Sequence, residues 1–299
     1  MSMPRSTASM LGALAMLTAC LAAHADENLF GYVRGAETLP KGATEAYQWF
    51  TQRSDKGAGR YRALDSKTEV EYGVTDHFQI NAELKAMSIN TSGLQIDGYL
   101  PADKKYGLRA SGVGVGVKYN FLSPAKDDFG LSGIASFEHT WLDTHSGQKK
   151  KEYELGFSLQ AQKYFMEGQL VWAGNLGMRA AREYRSPIAG LTDDQWPTAG
   201  EDEILLTAGT GLSYRFAPGW SAALELVRET EFETGVSVER TSLFAGPTLH
   251  WAGQRWWGTL TYFKQLNGGG EKYDGQVDTN LHLIEKTKKE IRLKIGYNF

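Results

Sequence analysis

Acidic and basic side chains recur at every second position of several segments whose intervening residues are apolar. The run 78–86 shows this best, because Gln79, Asn81, Glu83 and Lys85 alternate with apolar neighbours. Charges of both signs on one face can pair with each other or line a polar path that orients solutes. The candidate site residues of this kind are Glu69, Glu71, Glu83, Lys85, Lys118, Glu152, Glu154, Arg179, Glu203, Arg215, Glu225, Arg292 and Lys294, and Lys67, Lys264 and Glu290 share the pattern.

A period of two indicates strands, because successive side chains of a strand point to opposite faces. The last nine residues follow it strictly. Ile291, Leu293 and Ile295 lie on one face, and Arg292 and Lys294 lie on the other. Lipid on one side of such a strand and a polar interior on the other explain this sorting.

The whole chain predicts an all-β fold, a transmembrane antiparallel up-and-down β-barrel of about twelve strands. The predicted strands are 44–53, 63–74, 78–86, 108–121, 129–141, 151–164, 169–183, 201–216, 220–231, 240–251, 256–265 and 285–299. Short connections near 75, 124, 166, 218 and 253 alternate with long ones at 54–60, 87–106, 142–150, 184–200, 232–239 and 266–282. This alternation is typical of outer-membrane barrels, and an even strand count predicts that both termini are periplasmic.

Aromatic residues form two groups at the predicted strand ends, as expected at the two interfaces of a bilayer. A large soluble lipocalin-like barrel or sandwich is the alternative, but it needs fewer Trp and Tyr there. On the first strand, Tyr47 and Trp49 are placed opposite Gln48 and Gln52. The short-turn group is Tyr72, Phe121, Phe129, Trp220, Trp256, Tyr297 and Phe299, and the long-loop group is Trp49, Trp141, Tyr153 and Tyr184.

Composition agrees with a membrane barrel and gives no support for nucleic-acid binding. The mean hydropathy is −0.39, as expected when only every second residue of a strand meets lipid. The net charge of −3 is too small to suggest binding to nucleic acid.

Residues 1–25 resemble a secretory signal peptide, with Arg5, an apolar run and the cleavage motif Ala23-His24-Ala25. Cleavage removes Cys20, the one cysteine; lipidation of Cys20 is the alternative.

The predicted organisation is therefore a signal peptide at 1–25, a periplasmic N-terminal leader at 26–42 and an outer-membrane β-barrel at 43–299. The leader either enters the lumen from the periplasmic side or is disordered. The barrel interior is either a narrow polar pathway or a lumen filled by paired side chains, since twelve strands enclose more space than eight and less than sixteen.

Catalytic and cofactor sites are not predicted. His139 has no serine two residues away, and His250 is too far along its strand from a partner for a nucleophile–base pair. The glycines Gly112, Gly114 and Gly116 lie on one strand face, without the helix that a phosphate-binding loop needs. Serial glycines there predict close approach of another group or sharp curvature. No metal ligands are predicted.

Two motifs carry a resemblance to a known family. Leu39-Pro40-Lys41-Gly42 leads into the first strand, and Glu71-Tyr72-Gly73-Val74-Thr75-Asp76-His77-Phe78 joins the second to the third. Together with the barrel pattern, they resemble the phenol-degradation-pathway transporter-like proteins and their uncharacterised relatives. The terminal Phe299 is similar to that of bacterial barrels read by the barrel-assembly machinery. The resemblance implies a channel or facilitator for small solutes, surrounded by outer-membrane lipid and lipopolysaccharide. A barrel enzyme acting on envelope lipids and a structural or adhesive barrel are the alternatives.

Overall fold

The computed structural model describes residues 28–95, 105–193, 196–234 and 237–299, so the predicted signal peptide and Cys20 lie outside it. Twelve antiparallel strands of these residues form one closed barrel, in which each strand pairs with its sequence neighbours and β1 pairs with β12. The predicted fold class is confirmed. Among the described residues, no helix is long and apolar enough to cross a membrane.

The strands are longer than the sequence pattern predicts at several ends. Their bounds are β1 Thr44–Ser54, β2 Ala58–Thr75, β3 Phe78–Gln95, β4 Lys105–Leu122, β5 Gly130–Leu142, β6 Lys149–Phe165, β7 Leu170–Arg185, β8 Glu201–Ala217, β9 Trp220–Glu233, β10 Arg240–Ala252, β11 Trp256–Gly270 and β12 Lys289–Asn298. The predicted alternation of short and long connections is wrong at β1–β2, which are joined by residues 55–57 only, because β2 begins earlier than predicted. It is also wrong at β5–β6, where the connection 143–148 is no longer than the connection 123–129 between β4 and β5.

Two ends of the barrel are named by their connections. The short-turn end carries the even-to-odd connections from β2–β3 to β10–β11, and the long-loop end carries the others. Between them, most strands sort as predicted; on β3, exposed Ile80 and Leu84 lie outside and buried Gln79 lies inside. Towards the long-loop end, the inward residues of β2 and β3 become apolar. Tyr61, Ala63, Met87 and Ile89 point inward there and form an apolar cluster with Leu142 and Ile284. The strands therefore continue beyond the apolar outer band.

The prediction for β1 is wrong in its facing. Tyr47 pairs with Glu69 of β2, and Trp49 pairs with Lys67 of β2 and with Lys294 of β12. Directly paired residues point to the same side of a sheet, so Tyr47 and Trp49 face the interior with these charges. Trp49 does not belong to the outer aromatic belt.

Gln48 faces outward instead, and its polar atoms are satisfied locally. Its Nε2 donates to Ser66 Oγ at 2.8 Å, and Thr68 Oγ1 donates to its Oε1 at 2.5 Å. These bonds lower the free-energy penalty of placing an amide on an apolar surface.

The prediction that Lys264 faces the interior is also wrong. Lys264 lies outside on β11, because the inward set is the odd-numbered one that contains buried Phe263 and Gln265.

The segment before β1 lies inside the barrel. Asn28 Nδ2 donates to Glu45 at the start of β1, and Thr38 Oγ1 donates to the carbonyl of Asp76 in the β2–β3 turn. The segment therefore enters and leaves the lumen at the short-turn end, with buried Phe30 and Val33 between. We call residues 28–40 the strap. The connection 271–288 fills the long-loop end, and β12 begins after it at Lys289, four residues later than predicted.

Candidate functional site

A single carboxylate holds the middle of the strap. Glu225 on β9 accepts hydrogen bonds from the backbone N–H groups of Gly31 at 2.7 Å, Tyr32 at 2.8 Å and Val33 at 2.9 Å. Thr248 Oγ1 also donates to it. Backbone donors on a buried carboxylate compensate for the loss of its hydration. Glu225 faces the lumen, and in this structure it anchors the strap.

Further strap contacts come from β7 and β4. Asn175 on β7 accepts from the Arg34 N–H at 2.7 Å and donates to the Arg34 carbonyl at 2.8 Å, as a neighbouring strand does. Lys118 Nζ on β4 donates to the carbonyl of Gly35 at 3.0 Å. The strap is thus bound through its backbone, by side chains from distant strands.

Apolar packing fills the half of the lumen bounded by β7 to β11. Phe30 and Val33 of the strap lie in a cluster whose wall members are Ala173, Ala223, Val227, Phe244 and Phe263. Gly211 on β8 permits this contact, since a Cβ there would lie 2.6 Å from the ring of Phe30. The other half of the lumen is polar outside the apolar cluster formed by Tyr61, Ala63, Met87 and Ile89.

Four cationic side chains surround Trp49 in the interior. The distances to its ring centre are 3.9 Å from Lys67 Nζ, 4.7 Å from Lys294 Nζ, 5.0 Å from Arg292 Cζ and 5.6 Å from Arg34 Cζ. Cations within about 6 Å of an indole face are attracted by its quadrupole. An inward Trp therefore stabilises positive charge that the strap brings beside the wall.

A row of ion pairs crosses the polar half of the lumen. Lys67 on β2 lies 2.7 Å from both Glu69 and Glu83, and Lys85 on β3 pairs with Glu83 and with Glu138 on β5. Arg179 of β7 continues the row with Glu154 of β6, at 3.1 Å. We call this row the charge ladder. Acids and bases that alternate along the sequence are thus paired in space.

Glycine on β4 allows the charge ladder to cross that strand. Gly114 lies opposite both Glu83 and Glu138 in the sheet, and a Cβ on it would lie 2.7 Å from Glu83 Cγ. Lys85 of β3 can therefore reach Glu138 of β5 over a strand that presents no side chain there. The predicted close approach at these glycines is confirmed.

A cavity of about 240 Å³ lies between the charge ladder and the strap. Tyr32 and Arg34 form its strap side, and Lys67, Glu83 and Arg179 lie among its wall residues. The lining also includes Glu138, the apolar residues Val115, Ile134, Phe157 and Met178, the glycines Gly156 and Gly177, and a set of neutral polar residues. The neutral polar residues are Asn81, Ser136, Ser158, Gln160, Asn175 and Thr207.

The predicted site residues fall into three groups. The ladder and cavity bring together Glu69, Glu83, Lys85, Glu154 and Arg179. The strap contacts Lys118, Glu225, Arg292 and Lys294. The others lie apart: Glu71 accepts from Tyr47 and Gln79, Glu152 pairs with Lys150 towards the long-loop end, Glu203 lies there as well, and Arg215 is exposed beside the β8–β9 turn.

Three participants were missed by the sequence pattern. Glu138 lies on β5, whose alternation is weak because Gly133, Ala135 and His139 occupy its outer face. Arg34 precedes the first strand and has no periodic context. Trp49 was assigned to the outer belt. Glu138 is spaced by two residues from the polar residues Ser136 and Thr140, so the three share one face of β5. This spacing is the one sequence signal that indicates an inward carboxylate on β5.

Ion pairs also close the long-loop end. Arg240 on β10 pairs with Glu231 and with Glu285 of the connection 271–288, while Lys286 of that connection pairs with Glu229. Burial lowers the pKa of Lys56, in the β1–β2 connection, to about 7. Burial likewise lowers the pKa of His282 to about 4.

Carboxylates gather at the same end. Oxygens of Glu183, Glu201 and Glu203 lie within 4.8 Å of one another, as do those of Glu231, Glu233 and Glu285. Lys150 and Arg185 pair with Glu183, and Arg240 pairs with Glu231 and Glu285. Cationic side chains thus partly neutralise both groups.

His139 and His250, the two histidines weighed above for catalysis, both make contacts that support the fold. His139 Nδ1 donates to the carbonyl of Glu152 at 2.9 Å, and its ring stacks on Tyr153 at 4.7 Å on the outer surface. Inside, His250 Nδ1 bonds Thr259 Oγ1 at 2.8 Å, and that hydroxyl donates to the carbonyl of Asn28. His250 therefore supports a strap contact.

The closed twelve-stranded barrel, apolar outside and charged inside, defines an outer-membrane-type β-barrel with a porin- or channel-like fold. The chain belongs to DUF6662, a family of unknown function whose model matches residues 22–299. The resemblance to phenol-pathway transporter-like proteins is thus supported in architecture, while that specific assignment remains a prediction. No curated protein matches the sequence.

Solved structures share the fold at low identity. The COG4313 outer membrane channel from Pseudomonas putida F1 is 13% identical over 88% of this chain and 98% of that chain, with a TM-score of 0.58. The translocator domain of autotransporter NalP from Neisseria meningitidis is 14% identical over 97% and 98%, with a TM-score of 0.50. The beta domain of the Bordetella autotransporter BrkA is 13% identical over 87% and 100%, with a TM-score of 0.51. At these identities the similarity shows the fold alone.

Proposed function

We propose that this protein is an outer-membrane channel or facilitator for the passive passage of small solutes, narrowed by the strap. The observation that carries the proposal is the cavity between the charge ladder and the strap, because it keeps part of the lumen polar and open. The strap is bound to this region through hydrogen bonds such as those between Asn175 and Arg34. Such bonds can exchange with solute or water, whereas a fully packed apolar core cannot.

The location and orientation belong to the same proposal. The apolar outer surface contacts outer-membrane lipid and lipopolysaccharide, both termini lie in the periplasm, and the barrel-assembly machinery reads Phe299. The strap then enters the lumen from the periplasmic side. An epitope tag placed directly before Asn28 should remain inaccessible to antibody in intact cells and become accessible after the outer membrane is permeabilised.

Planar-bilayer conductance of the refolded protein tests the channel. We expect small, reproducible conductance steps from residues 26–299, and steps several-fold larger when residues 26–40 are deleted. A matched control replaces exposed Asp128 with Ala, outside the lumen, and should leave the steps unchanged. Heat-modifiable gel mobility verifies that each variant is folded.

An absence of conductance in both the full chain and the strap deletion would overturn the proposal. It would favour the structural or adhesive barrel, in which the loops are the working part. The packing of Leu142 and Ile284 at the long-loop end is the feature such a barrel would use, because it fixes the loop positions.

A further inference from the structure

In the ion pairs of the charge ladder, the acidic and the basic side chain differ in their accessible surface. Arg179 keeps 45% of its side-chain surface accessible, whereas its partner Glu154 keeps 7%. Lys85 is 26% accessible, compared with 18% for Glu138 and 6% for Glu83. In each pair the cation is therefore the more accessible member.

Side-chain length explains this asymmetry. Lys and Arg carry their charge on longer stems than Glu, so paired cations reach further from the wall. The carboxylates of Glu83 and Glu138 are covered by Lys67 and Lys85, which reduces their repulsion of an anion in the cavity. The strap adds Arg34 on the other side of the cavity.

Arg179 is also suited by its chemistry to bind an additional anion. Its contact with Glu154 uses one nitrogen, Nη1, and a guanidinium has five N–H donors arranged to fit a carboxylate. Asn175 and Thr207 provide neutral polar groups in the same lining.

We infer that the cavity between the strap and the charge ladder binds small monoanions of the carboxylate class, with Arg179 and Arg34 as the binding cations. This inference rests on the proposed function and names the class of solute that uses it. The cavity of about 240 Å³ exceeds a 150 Å³ cavity that accommodates benzene. A carboxylate on one ring or on a short chain fits this volume.

Isothermal titration calorimetry of the folded full mature chain in detergent micelles tests the site without requiring ion flow. Benzoate is the probe, and benzamide is its uncharged counterpart of similar shape. We expect saturable benzoate binding in the wild type and binding of benzamide weaker by about tenfold to a hundredfold, the range for a charge-assisted contact.

The Arg179→Gln and Arg34→Gln variants should each weaken benzoate binding by about tenfold or more. Arg182→Gln is the matched control on the same strand. Arg182 is exposed on the outer face, where it pairs with Asp202, so its replacement should leave binding unchanged. Arg34 belongs to the strap and not to the barrel wall, so its variant preserves the test if Arg179→Gln fails to fold.

Three results would overturn the inference: no benzoate binding to the wild type, equal binding of benzoate and benzamide, or undiminished binding in both arginine variants. The calorimetry and the conductance measurement together distinguish failure of the proposed channel function from failure of the proposed anion site. Benzoate binding without conductance in any variant would refute passage alone, and conductance without charge-dependent binding would refute the site alone.

Discussion

The guanidinium of Arg292 lies 3.7 Å from the centre of the Tyr32 ring. On its other side, Tyr32 stacks on Phe263 at 4.1 Å, and its hydroxyl donates to Glu290 at 2.6 Å. Arg292 and Glu290 belong to β12, which closes the barrel against β1. Because the last strand holds the strap, formation of the strap contacts depends on closure of the barrel.

The strap should loosen when its main acceptor is removed. Glu225→Ala deletes the carboxylate that accepts three backbone N–H groups, and bonds to a charged acceptor contribute about 1.5–3 kcal/mol each. We expect amide hydrogen exchange at Gly31, Tyr32 and Val33 to accelerate by tenfold or more, measured by mass spectrometry. Asp128→Ala is the control. Unchanged exchange in Glu225→Ala would show that apolar packing alone retains the strap.

The facing of the strands predicts which positions tolerate charge. Leu84→Arg and Leu293→Arg place a cation on the lipid side and should destabilise the barrel by about 2–4 kcal/mol near the midplane. The neighbouring changes Glu83→Gln and Lys294→Ala alter interior residues and should leave the barrel folded. Urea unfolding in lipid vesicles measures the difference. Greater damage from the interior changes would reverse the assigned faces.

Gly114 tests the crossing of the charge ladder over β4. In Gly114→Val, the side chain meets Glu83 at an unfavourable distance, and such overpacking costs about 1–3 kcal/mol. Gly107→Val on the same strand is the control, because a Cβ there meets no atom of the described residues within 4 Å. We expect a lower urea midpoint for Gly114→Val only. Equal midpoints would mean that Glu83 can shift without loss of stability.

The buried Lys56 should make stability depend on pH. Burial, and to a smaller extent the charge of Arg53, lower its folded pKa to about 7 from 10.5. Between these values the unfolded chain binds more protons, so the free energy of unfolding should rise with pH, by at most about 1.4 kcal/mol per unit. Above pH 10.5 and below pH 7 this contribution no longer changes.

Lys56→Met keeps the volume and removes the titration. The variant should be more stable than the wild type at pH 6, and its advantage should shrink as the pH rises to 10. Urea midpoints at pH 6, 8 and 10 measure this. A constant difference between the two proteins across that range would contradict the assigned pKa.

Phe299 should matter for assembly more than for stability. Its N–H donates to the Thr44 carbonyl at 3.0 Å, and its ring is exposed at the edge of Tyr297. Phe299→Ser should therefore reduce the yield of folded barrel in cells while refolding in detergent stays near the wild-type level. Phe121→Ser, an exposed aromatic of the same end, is the control. Equal yields in cells would remove the proposed role of Phe299.

The amino-acid sequence by itself determined the barrel and most of its faces. Strict alternation in β3, β6 and β12 distinguishes a lipid side from a polar side, because the side-chain period of a strand is two. The same pattern places Glu83, Glu154 and Lys294 in the interior. It fails on β1, because Tyr and Trp suit both an outer belt and an interior lined by cations, and only the pairing with Lys67 and Lys294 decides between them.

The strap was decided by tertiary structure alone. Residues 28–40 have no periodic pattern, and their partners Glu225, Asn175 and Arg292 come from β9, β7 and β12, far apart in the sequence. Backbone N–H and C=O groups of any sequence can make these bonds, so residue types do not reveal them. The cavity has the same origin, since its walls meet only after the barrel closes around the strap.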